Sequence, residues 1–393
     1  MADITGRFIE AHLLQVIPYA NLNRDDNNSV KTVVFGDTPR TRVSSQSWKR
    51  AARLRLQQRL GQQALRTRRL AERVQEYLVE ERGWDEAAAV LAGRHLISAG
   101  STGADIPKKD ADTAPWSTAA MVYLPDTAVV ELADLAEQYR PQFEAGKPVK
   151  SAIAAKNLIV PGKEVDAILR SRNGVINLFG RMLAQVEDAK VDGAVQVAHA
   201  FTTHSTDVEI DYFSAVDDVT ADWGDAPGSA HLGHAEHSAG VLYRYAVVDL
   251  RELEHNLGGD RAASRELATA FLDAIIRSLP SAKKNSTAPN TVPDLIHLVV
   301  RNDQPVSYAS AFERPVAAAD EGGHLAASIT ALDSYATRLA AILGEEDVCH
   351  RGHIAVHEAA TEPTGLGGAA ENLAALIGET VDAAASEAEA EAR

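Results

Sequence analysis

Apolar positions open the chain as a nearly continuous run, residues 8–16 (FIEAHLLQV), which predicts a buried strand stopped by Pro18. Residues 21–37 (NLNRDDNNSVKTVVFGD) crowd Asn and Asp ahead of a short apolar run and Gly36, the pattern of a polar loop followed by a brief strand or turn. Ser44, Ser45 or Ser47 can cap a helix that begins near Trp48 and continues through Arg59. At about 100° per residue, Trp48, Ala52 and Leu56 share an apolar face suited to packing on a sheet. Lys49, Arg50 and Arg53 project together on a neighbouring face.

Residues 55–188 are dominated by helical, Ala-rich segments broken at Gly83, Gly93, residues 98–103 (SAGSTG) and Pro141, which predicts a helical insertion. Strand patterns return at 195–201 (VQVAHAF), 242–250 (LYRYAVVDL) and 294–300 (DLIHLVV), with an amphipathic helix over 261–279 between the last two. This order predicts an α+β fold built on a split βαβ sheet of ferredoxin-like type. Residues 202–240 are too long and polar for a plain connection and are expected to be functional or mobile. The last thirty or so residues decline into Ala, Glu and Gly, the composition of a frayed or disordered tail.

The N-terminus has no basic n-region followed by an apolar run, and no apolar stretch is long enough to cross a bilayer. The single cysteine, Cys349, excludes an internal disulfide. A soluble cytoplasmic protein with no membrane partner is expected.

Charge sharpens the picture. The net charge of −16 argues against a polyanionic partner, but its distribution does not. From Arg40 to Arg73 eleven Lys/Arg stand against one acid, Glu72, while residues 345–393 carry eleven acids against Arg351 and Arg393. A basic patch on an acidic body can hold a polyanion locally.

Two blocks carry a family resemblance: NLNRDDNNSVKTVVFGD, and RTRVSSQSWKRAAR over residues 40–53. With VDGAVQVAHAFTTH (191–204), DYFSAVDD (211–218), GSAHLG (228–233), SAGVLYRYAVVDL (238–250), NLGG (256–259) and AFERPV (311–316), they resemble CasC, the backbone subunit of the type I-E CRISPR Cascade complex, up to about residue 330. The resemblance implies an RRM-like palm with a helical fingers insertion and a long thumb loop. It divides the chain into palm at 1–60, fingers at 61–190, a palm strand at 191–205, thumb at 206–237, palm again at 238–345, and an acidic, poorly ordered tail at 346–393. Copies would stack along the crRNA, present it to target DNA, and join other Cascade subunits, with no cofactor and no catalysis. By match to the family motif, Lys31, Arg42, Ser44, Gln46, Lys49, Arg50 and Arg53 are expected to contact RNA. Met182 matches a methionine that wedges against a displaced base, and Phe213, with Tyr212 beside it, matches the thumb aromatic that enters the base stack. Lys147, Lys150 and Lys156 are the nearest counterparts of lysines implied to hold target DNA, with Lys108 and Lys109 as substitutes.

The residues themselves allow this chemistry. Cations on one helix face contact successive phosphates without reading sequence, and a helix start binds anions. Stacking on an aromatic suits any guide, because every base has a π-face. Other chemistries are weakly signalled. Asp25 and Asp26 suggest a metal-dependent nuclease, but adjacent Asp in an Asn-rich loop more often form turns. His231, His234 and His237, and Cys349, His350, His353 and His357, are loose metal-ligand patterns whose default reading is solvent-exposed polar side chains. SAGSTG lacks the Lys-Ser/Thr of a P-loop. The competing class is an endoribonuclease of the same superfamily, for which His12 and His199 are the acid–base candidates.

Overall fold

A computed structural model describes residues 8–111, 114–216, 229–356 and 363–390. These divide into two compact units: one of residues 8–56, 195–254 and 260–390, the other of 57–194 with 255–259.

The first unit opens with β1 (Phe8–Ala20), whose residues are almost all buried. It outruns the predicted strand because Pro18 falls at an irregularity between Ile17 and Ala20, where the register shifts and no ladder N–H is required. The Asn/Asp-rich loop that follows closes on itself: the Asp25 carboxylate accepts the Asn27 and Ser29 N–H groups. Asp25 is therefore a turn former. β2 (Thr32–Phe35) and β3 (Thr38–Val43) make a hairpin across Gly36 and Asp37, both at positive φ (60° and 57°). A Cβ on Gly36 would lie 1.7 Å from the Glu313 carbonyl oxygen, so the position needs glycine twice over. α1 (Ser45–Leu60) buries Trp48, Ala52 and Leu56 as their spacing predicts.

The second unit carries β4 (Ala64–Thr67), α2 (Leu70–Glu80), α3 (Glu86–Ala99), β5 (Ala104–Asp105), β6 (Ser117–Thr118), β7 (Val122–Pro125), α4 (Thr127–Glu137), α5 (Arg140–Glu144), α6 (Gly162–Leu169) and α7 (Gly174–Phe179). The helices enclose a core that includes Val74, Leu78, Leu96, Leu132 and Phe143. Two short ladders, β4–β7 and β5–β6, add strands that the Ala-rich pattern conceals.

The first unit resumes with β8 (Val195–Val197) and β9 (Ala200–Thr202), where one continuous strand is predicted. β10 (Glu209–Val216) pairs antiparallel with β11 (Ser229–Asp249), so the described part of the predicted thumb loop is a hairpin rather than a loop. Residues 217–228 lie outside the described part. After α8 (Leu250–Asn256) come α9 (Arg261–Arg277), α10 (Lys284–Thr287), β12 (Leu295–Arg301), α11 (Leu325–Leu343), β13 (Val348–Ala355), β14 (Gly368–Ala369) and α12 (Leu373–Ala390).

The expected poorly ordered tail is corrected over its described residues. β13 pairs with β12, and α12 buries Leu376, Ile377, Val381 and Ala384. Their spacing makes one apolar stripe, which the Ala/Glu-rich composition hides. Residues 357–362 and 391–393 lie outside the described part.

The sheet runs β14-β13-β12-β1-β11-β9-β3-β2, and its central pairs are antiparallel. On one face Arg244 of β11 lies 3.8 Å from the Trp48 ring centroid and bonds Gln15 of β1 and the Ile275 carbonyl of α9, which joins sheet and helices. Burial lowers its guanidinium to about 9. The other face is polar at its centre. Glu10, His12 and His297 are fully buried, and His12 stacks on Tyr308 at 3.9 Å. His12 Nδ1 bonds the Tyr243 hydroxyl (2.9 Å), while Glu10 accepts from Arg301 and from the Val306 N–H.

Candidate nucleic-acid interface

Seven predicted contacts fall on the β2–β3 hairpin and the first turns of α1. Lys31 and Arg42 face each other where the hairpin opens, the Arg42 N–H donating to the Lys31 carbonyl at 2.8 Å. Asn23 fixes this corner: its carbonyl accepts the Lys31 N–H, and its side-chain oxygen accepts the Ser44 N–H at 2.8 Å. Sequence reasoning passed over Asn23, although the NLN triplet that contains it was the available signal.

Ser44 is buried, and its hydroxyl accepts the Ser47 N–H at 3.3 Å. It is the helix cap. A phosphate contact through its hydroxyl, as the family motif implies, would have to share that capping oxygen, so its demonstrated role is to set the start of α1. Gln46 and Arg50 are exposed and Arg53 is half-buried. Lys49 does not project as expected. It is half-buried, its ammonium donates to the Val195 carbonyl at 3.3 Å, and burial lowers its pKa.

The basic window is also less of a patch than its count suggests. Arg40 is fully buried and donates to the carbonyls of Phe35, Thr202, Phe312 and Glu313. Arg66, Arg68, Arg69 and Arg73 belong to the second unit, where Arg66 lies over Tyr123 and the others pair with Asp105, Glu72 and Glu76.

Tyr212 and Phe213 sit on β10, 70% and 50% exposed, and strand alternation sends them to opposite faces of the hairpin. Phe213 lies across its cross-strand partner Gly233, where an added Cβ would be 2.5 Å from the ring. Tyr212 leans toward His234. His237 and His353 depart from the exposed default: both are buried, His237 stacking on Tyr19 at 4.3 Å and His353 Nδ1 lying 3.1 Å from the Gly367 carbonyl oxygen. The side chain of His231 and the whole of His357 lie outside the described residues, among which no group of three or more His, Cys, Asp or Glu is placed to hold a metal.

Met182, in the second unit, is not a core methionine. It is 86% exposed on a rigid mount. The preceding Arg181 is buried and donates to the carbonyls of Ala189, Tyr123, Ser171 and Arg170, and burial lowers its guanidinium to about 10. Gly180 has φ 75°, and a Cβ there would lie 2.8 Å from Gly193 N. In the GRM triplet the glycine therefore makes the turn, the arginine anchors it and the methionine is displayed. Lys147, Lys150 and Lys156, and also Lys108 and Lys109, are exposed in the same unit.

Of the two acid–base candidates, His12 is sealed in the sheet core, where burial holds it well below its ordinary pKa. His199 is exposed between β8 and β9, and its Nδ1 accepts the Ser45 N–H at 3.0 Å. Its proximity to α1 is a product of the fold that its distance in sequence conceals. Among the described residues no helix is long and apolar enough to cross a membrane.

Known proteins place this arrangement in a family. No curated protein matches the chain. A solved structure titled "CRISPR RNA-guided surveillance complex, pre-nicking" contains a chain 41% identical, with a TM-score of 0.87, covering 96% of this chain and 100% of that one. A second, titled "CRISPR RNA-guided surveillance complex", matches at 36% identity and a TM-score of 0.77, covering 96% and 99%. The sequence pattern of CT1975-like proteins matches residues 9–380, so the resemblance read from the motifs holds over nearly the whole length, and the chain belongs to the CT1975-like family of Cas proteins.

Proposed function

We propose that this chain is the non-catalytic RNA-binding backbone subunit of a type I-E CRISPR surveillance complex. It polymerises along the crRNA spacer in the cytoplasm, alongside other Cascade subunits, and presents the guide for pairing with target DNA. The observation that carries this reading is the gathering of Lys31, Arg42, Gln46, Arg50 and Arg53 at the hairpin mouth and the first turns of α1 in a chain that is otherwise acidic. Such contacts hold a phosphate backbone and leave sequence to the guide.

The first unit supports an RRM-like palm. Taking the strands in sheet order β12-β1-β11-β9, with α1 following β1 and α9 following β11, gives the antiparallel split βαβ arrangement. The β10–β11 hairpin is then the thumb, whose exposed Tyr212 and Phe213 stack on or insert between bases. Met182 supports a displaced base from the fingers, and Lys147, Lys150 and Lys156 attract the target strand. A non-catalytic role is favoured over RNA cleavage because His12 is sealed from solvent and the Nδ1 of exposed His199 is taken by the Ser45 N–H.

Binding of two labelled single-stranded RNAs of unrelated sequence to the full chain tests the reading. We expect affinities within about twofold of each other and a log–log salt slope of about −0.7 per phosphate contact. Arg50→Ala should make the slope shallower by about 0.7 for both RNAs. A strong preference for one sequence, or cleavage of either RNA by this chain alone, would overturn it.

A further inference from the structure

His199 stands at the start of α1 but is unused by the cationic contacts described above. The sheet breaks at this point: Ala198 still donates its N–H to the Tyr245 carbonyl at 2.9 Å, and His199 turns out between β8 and β9 with its imidazole exposed. The ring is nevertheless held, because Nδ1 accepts the Ser45 N–H at 3.0 Å.

That bond decides the tautomer. With Nδ1 serving as an acceptor, the proton sits on Nε2, and adding a second proton at Nδ1 would set one N–H against another. Partial desolvation by neighbouring residues and the Arg42 charge act in the same direction and lower the pKa. The fold therefore displays a neutral imidazole with one fixed N–H donor beside Arg42, at the turn of α1 that carries Gln46. A base already protonated on its free nitrogen cannot take a proton from a ribose hydroxyl. The ring is arranged to bind, not to cleave.

We infer that His199 is a further RNA-contacting residue whose Nε2–H donates to an acceptor oxygen of the RNA backbone, either a non-bridging phosphate oxygen or a ribose 2′-hydroxyl. This rests on the RNA-binding reading above. An acceptor is the one ligand chemistry that Arg42, the Gln46 amide and the His199 donor have in common. A neutral donor releases no counterion, so His199 adds affinity without adding to the salt slope, unlike an arginine.

The test measures binding of the full chain to a fluorescein-labelled single-stranded RNA and to the 2′-deoxy oligonucleotide of the same sequence, across a salt series. His199→Ala should weaken RNA binding about tenfold with the slope unchanged, and His199→Asp should weaken it further, because it keeps an acceptor for the Ser45 N–H but has no donor and sets a carboxylate beside Arg42. His199→Asn, which can both accept from Ser45 and donate outward, should stay within about threefold of wild type. Thermal unfolding of the Asp variant close to wild type separates lost binding from lost folding. Weakening on both oligonucleotides identifies the phosphate oxygen, and weakening on RNA alone identifies the 2′-hydroxyl. Wild-type affinity or a changed slope in His199→Ala, or Asp outperforming Asn, would overturn the inference. Failure of the wild-type chain to bind RNA would instead sink the RNA-binding reading beneath it.

Discussion

Arg40 lies at the centre of the basic window, and by sequence it is as good a phosphate contact as Arg42. Its surroundings give it a different role. The side chain is fully buried: Nη1 donates to the Thr202 carbonyl (3.0 Å), Nη2 to Phe312 (3.0 Å) and Glu313 (3.2 Å), and Nε to Phe35 (3.2 Å) and the Thr38 hydroxyl (3.0 Å). One guanidinium thus joins β2, β3, β9 and the chain at 312–313, just where Gly36 approaches the Glu313 carbonyl. Arg40→Met keeps most of the volume and removes every donor, so the Thr202, Phe312 and Glu313 carbonyls each lose a hydrogen bond. Charged donors of this kind contribute about 1.5–3 kcal/mol each before desolvation of the cation is counted against them. The net loss should be about 3–5 kcal/mol, because the carbonyls lose their guanidinium donors at about 1–3 kcal/mol each while the cost of burying the cation is removed. Arg40→Lys should recover only part of it, because an ammonium cannot reproduce the fork. Urea unfolding supplies the free energy, and hydrogen exchange should show the loss concentrated in peptides covering residues 200–206 and 309–316. If Arg40→Met left the urea midpoint unchanged and lowered RNA affinity with a shallower salt slope, the structural assignment would be refuted and Arg40 would rejoin the interface.

Three further outcomes follow from the same packing. His12 and His297 are held neutral, well below the ordinary histidine value, by burial, while burial raises Glu10 to about 7. Below about pH 6.5 the unfolded histidines take up protons that the folded ones refuse, so stability falls, while folded Glu10 takes up a proton between about pH 7 and 4.5 and partly offsets the loss. Urea midpoints measured from pH 7.5 to 5.5 should therefore decline, and more steeply in Glu10→Gln; a shallower decline in that variant would contradict the assignment. Met182→Ala should change stability by less than about 0.5 kcal/mol, whereas Gly180→Ala should cost roughly 1–3 kcal/mol from its backbone alone; equal effects in thermal melts would remove the mount-and-display account of the triplet. Deleting residues 372–393 should destabilise the first unit by on the order of 5 kcal/mol, since Leu376, Ile377 and Val381 leave the core with it; a truncated chain with an unchanged urea midpoint would return the segment to the status of a tail.

What could be read in advance was local. Trp48, Ala52 and Leu56 declare their face by spacing alone, and the strands at 242–250 and 294–300 by β-branched and aromatic runs. The hairpin of β10 and β11 could not be read that way, because β10 carries apolar residues on both faces yet is exposed from Glu209 to Ser214, and it gains its order from pairing with β11 rather than from a core. α12 was hidden by a composition that resembles a disordered tail, although its apolar residues recur at helical spacing. In the site, residue type identified cations but not their burial, so Arg40 and Lys49 seemed equivalent to Arg50. Only the strand register brings His199 to Ser45. Met182 is the reverse case, a residue whose type predicts the core and whose neighbours, Gly180 and Arg181, hold it out of the core.

The most direct measurement of the central claim is the RNA that this chain carries. The full chain, co-expressed with its complex partners and a CRISPR repeat-spacer transcript, would be purified, and its RNA extracted and sized. Wild type would be compared with Arg50→Glu/Arg53→Glu. The account predicts a single RNA of uniform length in the wild type, lost from the double variant while the protein remains folded. RNA retained in full by the variant, or no RNA in the wild type, would contradict it.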